Sequence, residues 1–318
     1  MLRVEDLVME FRLSKREVVH AVSGVSFNIY SGETLGLVGE SGCGKSTTAR
    51  AVMQLPVPTS GKVILNGKDL MALSGEELRR ERRHFQIIFQ DPISSLNPRR
   101  KVSDIVEMPL VVMKVGTAEE RAARVREVLT AVGLDPDTAL DRRPFQFSGG
   151  QCQRISIARA LVSEPTMLIC DEPVSALDVS IQAQIINLLQ DMKERYKLTM
   201  LFISHDLSVV KVVCDRVAVM YLGRIVEVAA KADLYERPLD PYTHALLSAV
   251  PIPDRKIEAS RQRTLLPGEV PSPLNPPTGC ALHPRCERAI AICQTTRPEL
   301  RPQGVGHWVA CHLYDDED

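Results

Sequence analysis

The feature that most constrains this chain is a glycine-rich loop between an apolar strand and a helix. Residues 34–38 (TLGLV) predict a buried strand, and residues 45–55 (KSTTARAVMQL) predict a helix. Between them, residues 39–46 fit the pattern G-x-x-x-x-G-K-[ST], in which backbone N–H groups and the helix N-terminus converge on phosphate oxygens. Lys45 is expected to bridge the outer phosphates, and Ser46 to bind Mg²⁺. The residues expected to contact a nucleotide here are Gly39, Ser41, Gly42, Cys43, Gly44, Lys45, Ser46 and Thr47.

Two adjacent carboxylates end a second apolar strand. The run MLIC (167–170) is followed by Asp171 and Glu172, and α/β sheets place their ligands at the carboxyl ends of parallel strands. Beside a bound nucleotide, Asp171 is expected to hold Mg²⁺, and Glu172 to polarise the water that attacks the γ-phosphate. Such a pair can also simply cap the next turn, but the upstream phosphate loop favours the magnesium and general-base interpretation.

The other segments predict an α/β fold with two additions. Residues 2–30 alternate β-rich stretches around a polar break, which is typical of antiparallel strands. Residues 92–165, which include a helical pattern at 117–131, predict a helical insertion. Later strands and helices alternate as in a parallel sheet, and the Leu-Gly pair at 222–223 predicts a hairpin. Residues 238–277 are rich in proline and predict a linker or arm.

Composition excludes several classes of protein. The 39 Lys and Arg against 40 Asp and Glu give a net charge of -1, without the basic excess of a nucleic-acid-binding protein. The apolar runs are strand-sized, far short of the roughly 20 residues that cross a bilayer, and the charged N-terminal residues predict no secretory signal. A role at a membrane would therefore depend on partner proteins. The eight cysteines suggest a reducing compartment.

A further motif set resembles that of the ABC ATPases. Residues 147–151 (FSGGQ), Gln90 in IIFQDP, residues 175–178 (SALD) and His205 after TMLFIS follow the family's order. The resemblance implies an α/β P-loop NTPase of the ABC type, with an antiparallel β subdomain, a helical insertion and a small C-terminal metal-binding extension. One position departs from the family pattern, because Cys152 stands where an arginine often follows the signature glutamine.

The same resemblance assigns roles to individual residues. Two subunits would pair head to tail, so that ATP on one subunit's loop is completed by the other's Ser148, Gly149, Gly150 and Gln151. Glu172, His205 and Gln90 would be catalytic, Gln90 would also sense Mg²⁺, and Asp178 would communicate across the dimer. Phe11 is the candidate for stacking on adenine, although a single aromatic in a β-rich segment is as often part of the core.

The C-terminal third narrows the resemblance. The strings RPLDPYTHALLSAVPIPD and LLPGEVPSPLNPPTGCALHPRC resemble the extension of ATPases that serve dipeptide, oligopeptide and nickel importers. An ATPase domain at 1–235 and an extension at 236–318 are expected. The implied partners are a second ATPase subunit, with a paralogue favoured, two transmembrane permeases and an extracytoplasmic solute-binding protein, at the cytoplasmic face of the inner membrane. Peptides are the expected cargo, with nickel or another small solute as the alternative.

Four cysteines crowd this extension. Cys280, Cys286, Cys293 and Cys311 have the spacing C-x5-C-x6-C-x17-C, without the close pairs of structural zinc ribbons. Four thiolates in a short, proline-braced segment are the ligand set of a 4Fe-4S cluster. The alternatives are zinc, with recruitment of His283, His307 or His312, and free buried thiols.

Two other functions remain open at the level of sequence. A soluble ABC protein acting on ribosomes or DNA would usually carry tandem nucleotide domains or a long coiled-coil insertion, and this chain has neither. An iron-sulfur redox protein would need a second centre to receive electrons.

Overall fold

A computed structural model describes residues 1–250 and 264–315 of the chain. The strands in these residues are β1 (Leu2–Arg12), β2 (Val18–Ile29), β3 (Thr34–Val38), β4 (Ser60–Leu65), β5 (Lys68–Asp69), β6 (Phe85–Ile88), β7 (Met167–Asp171), β8 (Thr199–Ile203), β9 (Arg216–Tyr221), β10 (Arg224–Ala230), β11 (Arg301–Pro302) and β12 (Trp308–Val309). The helices are α1 (Lys45–Val52), α2 (Gly75–Glu81), α3 (Val102–Met113), α4 (Ala118–Ala131), α5 (Pro136–Ala139), α6 (Gly149–Leu161), α7 (Val179–Tyr196), α8 (Leu207–Val213), α9 (Lys231–Glu236) and α10 (Pro241–Ala249).

The chain divides into two compact units. Unit 1 contains Met1, Ile29–Glu33 and Ala72–Ile203. Unit 2 contains Leu2–Asn28, Thr34–Met71 and the described residues from Ser204 onward. The predicted domain boundary between residues 235 and 236 stays a prediction.

Unit 1 combines a parallel sheet with a helical group. Its strands lie in the order β8-β7-β6, with both neighbouring pairs parallel. All residues of β7 and β8 are buried, as expected of parallel strands that are covered on both faces. Helix α3 packs on α4 and α6 in the stretch predicted to be helical. A capping box between Thr117 and Glu120 begins α4 at the predicted place.

Unit 2 contains two sheets. One has the strand order β2-β1-β4-β5, in which β1 pairs antiparallel with β4. The two strands expected near the N-terminus are present as β1 and β2. In the other, β11-β12-β10-β9-β3, the pair β3–β9 is parallel and β9–β10 is antiparallel. The predicted hairpin is confirmed, and Leu222 and Gly223 both have positive φ, of 41° and 78°. Two successive positive φ angles are the mark of a tight type I′ turn.

The C-terminal segment, residues 264–315, joins this second sheet. Strand β12 pairs with β10, with Glu227 opposite Val309 and Val228 opposite Trp308. The expected proline-rich linker is wrong for part of its length, since α10 occupies Pro241–Ala249. Proline is accepted at the first helical position, where no N–H is needed, and the Asp240 side chain caps the helix by accepting from Tyr242 N. Residues 251–263 of that stretch lie outside the described residues.

None of the helices in the described ranges combines the length and the apolarity that crossing a bilayer requires.

Candidate active site

The phosphate loop of unit 2 leaves a fully buried β3 and enters α1 through Gly44. The Lys45 side chain is buried, at 4% exposure, and its Nζ donates to the carbonyl oxygens of Gly39 at 2.9 Å and Glu40 at 3.0 Å. These bonds hold the ammonium group across the loop, where it can meet an anion brought to the start of α1.

Two glycines of the loop are required by the strands around it. Gly39 has φ 152°, and a Cβ there would lie 2.1 Å from Met220 O. Gly44 has φ 106°, and a Cβ would lie 2.3 Å from Ala21 O. Because backbone atoms of neighbouring strands occupy these places, any side chain would displace the loop.

Cys43 lies inside the same loop. Its side chain is buried at 3% exposure, and burial raises the pKa of the thiol, although the positive charge of Lys45 acts in the opposite direction. The thiol is therefore neutral at physiological pH and serves as a small packing group.

The loop is also anchored by residues that sequence reasoning missed. Glu40 N donates to the Tyr242 hydroxyl at 2.7 Å. The Glu40 carboxylate accepts from both terminal nitrogens of Arg285, at 3.0 and 3.5 Å, and Arg285 also lies 3.5 Å from the Tyr221 hydroxyl. The Arg285 side chain is only 8% exposed. Helix α10 and the C-terminal segment thus fix one residue of the phosphate loop.

In unit 1 the two predicted carboxylates end β7. Asp171 is fully buried, and Glu172 directly follows with φ 49°. This left-handed backbone is unfavourable for a glutamate, and such strain is concentrated at functional sites. The Glu172 N–H donates to Ile203 O at 3.1 Å, which ties the turn to the end of β8.

Gln90 meets Glu172 directly. Its Nε2 donates to Glu172 Oε2 at 2.8 Å. Gln90 follows β6, and β6 is the parallel neighbour of β7, so the two side chains leave the same edge of the sheet. The contact orients the carboxylate of Glu172; the roles predicted for both residues stay predictions.

The signature segment, residues 147–151 (FSGGQ), lies at the start of α6. Ser148 is the N-cap residue, its Oγ accepts from Gln151 N at 3.3 Å, and Gln151 Oε1 accepts from Ser148 N at 3.0 Å. A Cβ on Gly150 would lie 2.6 Å from Ile181 Cγ2, so a side chain at this position would force Ile181 of α7 to shift. Ser148 is exposed, and Gly149 and Gly150 are partly exposed, so the N-terminus of α6 is accessible as an anion site would require.

The remaining predicted residues lie at the surface of their units. Asp178 is the exposed N-cap residue of α7, and its side chain makes no capping hydrogen bond. His205 is exposed between β8 and α8, and Phe11, at 37% exposure, lies near the end of β1. Accessible side chains fit the predicted contacts with nucleotide and partner, and those contacts stay predictions.

The predicted metal-binding extension is not supported. Among residues 1–250 and 264–315, no group of three or more His, Cys, Asp or Glu side chains is arranged so that it could hold a metal ion. The histidines proposed to complete a zinc site have other contacts. Both ring nitrogens of His312 are engaged, by Asp315 at 2.5 Å and Thr296 O at 2.8 Å, and His307 lies 2.7 Å from the buried carboxylate of Glu227. His283 Nδ1 lies 2.9 Å from Cys280 O.

Two family models match the chain. Residues 22–175 match the family described as ABC transporter. This range includes the phosphate loop, Gln90 and the signature segment. Residues 226–293 match the family described as Oligopeptide/dipeptide transporter, C-terminal region.

Among solved structures, the ATP-binding cassette MJ0796, in a dimeric post-hydrolysis state bound to ADP and Pi, is 30% identical with a TM-score of 0.66. The match covers 73% of this chain and 99% of that one. The structure of cbiO1 from Clostridium perfringens, part of the ABC transporter complex cbiONQ, is 31% identical with a TM-score of 0.64, and the match covers 74% of this chain and 91% of that one.

Curated relatives match over nearly the whole chain. The oligopeptide transport ATP-binding protein AppF of Bacillus subtilis is 52% identical, over 93% of this chain and 90% of that relative. The oligopeptide transport ATP-binding protein OppF of Salmonella typhimurium is 49% identical, over 99% of this chain and 96% of that relative. With this similarity added to the phosphate loop, the signature helix and the paired Gln90 and Glu172, the chain belongs to the ABC transporter family of ATP-binding proteins.

Proposed function

We propose that the chain is the ATP-hydrolysing subunit of an importer for dipeptides or oligopeptides. The similarity to AppF and OppF along nearly the whole chain supports the peptide cargo, as does the match of residues 226–293 to a peptide-transporter region. The observation that carries hydrolysis is the Glu172 carboxylate, held by Gln90 at 2.8 Å at the end of a buried strand.

Each unit contributes a part of the chemistry in this proposal. In unit 2, Lys45 neutralises the outer phosphates of ATP and Ser46 offers a hydroxyl to Mg²⁺. In unit 1, Asp171 and Gln90 offer oxygen ligands to Mg²⁺, and Glu172 orients and activates the attacking water. His205 contacts the γ-phosphate and stabilises the charge that develops there.

The exposed start of α6 completes the site of a second subunit. Ser148, Gly149, Gly150 and Gln151 present a hydroxyl and a helix N-terminus, which together suit an anion such as the γ-phosphate. Phe11 stacks on the adenine, and Asp178 relays the state of one site to the other. A paralogous ATPase, two permeases and an extracytoplasmic binding protein complete the assembly, which places this chain at the cytoplasmic face of the membrane.

Transport by the reconstituted assembly tests the proposal. Proteoliposomes would contain this chain, its paired ATPase and the two permeases, with the binding protein added on the opposite side. We expect ATP-dependent uptake of radiolabelled di- and tripeptides, and loss of uptake with Lys45→Ala. Uptake of Ni²⁺ without peptide uptake would replace the peptide cargo by nickel, whereas ATP turnover without any uptake would contradict an importer.

We also propose that Cys280, Cys286, Cys293 and Cys311 hold a 4Fe-4S cluster. Cys280 N donates to Cys293 O at 2.8 Å, and the side chains lie within electrostatic range of one another. The spacing of the four cysteines lacks the close pairs of structural zinc ribbons. Four thiolates in one short segment are the ligand set of a 4Fe-4S cluster, in which each binds a different iron atom.

Anaerobic purification tests the cluster. We expect a brown protein with about four irons and four labile sulfides per chain. Cys286→Ser should lower the iron content, whereas Cys170→Ser, at a buried cysteine in β7, should not. A colourless wild-type protein without iron would contradict the proposal, and stoichiometric zinc would replace it.

A further inference from the structure

Unit 2 contains a cavity of about 710 Å³ that the nucleotide chemistry does not use. Residues of β1 and β2 line it on one side, and residues of β9, β10 and the C-terminal segment on the other. Its volume falls within the roughly 300–1,000 Å³ typical of small-molecule sites. None of the phosphate-loop residues 39–46 lines it, and Cys280 is the one extension cysteine among its lining residues. The cavity is therefore separate from the phosphate loop, and it borders the proposed cysteine site only at Cys280.

Two arginines of the cavity lack an acidic partner. Arg224 is half-buried and Arg297 is exposed, and neither side chain makes a hydrogen bond or ion pair in the described part of the chain. Burial, together with the charge of Arg297, lowers the pKa of Arg224 to about 10. The other cavity arginines differ, because Arg3 pairs with Glu5 at 2.9 Å and Arg216 lies 3.5 Å from Asn28 Oδ1.

Uncompensated guanidinium groups at a cavity wall favour an anionic ligand. Partial removal of the Arg224 guanidinium from water costs free energy unless an anion is bound to it, and the exposed Arg297 adds a second positive charge. Each guanidinium presents a planar fork of N–H donors that matches a carboxylate or a phosphate in a bidentate arrangement. Two neighbouring guanidiniums repel each other until an anion lies between them.

Part of the remaining wall suits an apolar body, while Asp6, Asp240 and Glu299 also line the cavity. Phe27, Leu282 and Tyr221 line the cavity and are at most 8% exposed, so their side chains form a fixed surface. Trp308 also lines it and remains 41% exposed, which leaves part of the indole ring available for contact. Aromatic rings with one accessible face are common at ligand sites because they offer apolar area at little entropic cost.

We propose that this cavity binds a small organic anion, whose carboxylate or phosphate lies between Arg224 and Arg297 and whose apolar part packs against Trp308. The inference is independent of the cargo of the transporter. It assigns to unit 2 a second ligand site in addition to the phosphate loop that would bind ATP.

The single tryptophan of the chain, Trp308, provides a local reporter. The full-length protein would be titrated without ATP, with tryptophan fluorescence and calorimetry as readouts. The probes are phenyl phosphate and 3-phenylpropionate, which separate the two anion types, and 2-phenylethanol, which has an apolar body without charge. We expect saturable binding of at least one anion and none of the alcohol.

Variants assign the binding to the cavity. Arg224→Gln and Arg297→Gln should each weaken binding at least about tenfold, the effect of losing a charge-assisted hydrogen-bond pair. Arg237→Gln, at a side chain 77% exposed and outside the cavity lining, should bind as wild type. Lys45→Ala should also retain binding, which separates this site from the phosphate loop.

Three results would overturn the proposal: no saturable binding of either anion, equal binding of the alcohol, or undiminished binding by both arginine variants. Arg297→Gln changes an exposed side chain, so it tests the site even where Arg224→Gln folds poorly. Thermal unfolding of Arg224→Gln without ligand gives a second measure. Its Tm should not fall below wild type, because the variant removes an uncompensated charge; a large decrease would mark Arg224 as a structural residue instead.

Discussion

At the scale of single residues, the backbone conformation of Glu172 gives evidence for a functional role that its place in the sequence does not give. A glutamate with φ 49° at a strand end is strained, yet it is held there by a hydrogen bond to Ile203 O and by Gln90. A residue that only capped the next turn would not need this conformation. The strained backbone supports the interpretation of Glu172 as a functional residue whose carboxylate must be held in one direction.

The substitution Glu172→Gln tests the base role. The amide keeps the size of the side chain but cannot take a proton, so we expect hydrolysis to fall by about 10²–10⁴-fold with ATP binding retained. Steady-state phosphate release and nucleotide binding measure the two effects. Glu194→Gln, at an exposed position on α7, is the matched control. Normal turnover by Glu172→Gln would exclude the base role.

The thiol of Cys43 gives a prediction about pH. Burial raises its pKa, so at any pH near neutrality a smaller fraction is thiolate than in a free cysteine. We expect iodoacetamide to modify Cys43 more slowly than it modifies free cysteine at pH 7.5, and the rate to increase as pH rises. Peptide mass spectrometry measures the modification, with Cys43→Ser to identify the peptide. Reaction at neutral pH as fast as that of free cysteine would contradict the burial argument.

At the scale of elements, the phosphate loop is connected to distant parts of unit 2. The Glu40–Arg285 ion pair and the Tyr242 hydroxyl bind the loop to the C-terminal segment and α10. Arg285 is nearly enclosed, whereas the Glu40 side chain is 31% exposed, so solvent screens the pair in part. Positions in the C-terminal segment can therefore influence how the loop holds a nucleotide.

A double-mutant cycle on Glu40 and Arg285 tests this connection. We expect Arg285→Gln to destabilise the protein by roughly 1–3 kcal/mol and to raise the KM for ATP, because the loop loses an anchor and Glu40 loses its partner. The double variant Glu40→Gln/Arg285→Gln should lose less than the sum of the singles. Thermal unfolding and ATPase kinetics supply the data. Strict additivity would show that the pair is not coupled, and Arg301→Gln, in a surface ion pair, should change little.

At the scale of the whole molecule, the C-terminal segment is part of unit 2 and not an appendage to it. Strand β12 extends the sheet next to β10, and His307 lies against Glu227, which is 0% exposed. Glu227 also accepts from the backbone N–H groups of Leu239 and Asp240, at 2.8 and 3.0 Å. All three partners of the buried Glu227 carboxylate lie beyond position 235.

Truncation after residue 235 tests the predicted domain boundary. It removes every one of these partners, and a buried carboxylate left without them costs about 3–5 kcal/mol. We expect the fragment 1–235 to aggregate or to unfold well below the full chain in thermal melts. A fragment with the Tm of the full chain would show that residues 1–235 fold as an independent domain.

Local features of the fold could be predicted from short stretches of residues. The phosphate loop, the hairpin at 222–223, the capped start of α4 and the buried parallel strands all follow from short runs of residues. In these places backbone conformation, hydrophobic period and hydrogen bonding agree within a few residues, so the pattern has one solution.

Contacts between distant segments could not be predicted in this way, because they depend on which elements become neighbours in the fold. Gln90 and Glu172 meet because β6 and β7 are neighbours, and Arg285 reaches Glu40 across 245 positions. The same holds for the cavity beside Trp308 and for the helix at 241–249, where a local proline signal was overridden by packing and capping. The free energy of the whole packed unit decides which strands and segments become neighbours. This free energy cannot be inferred from any short stretch of sequence.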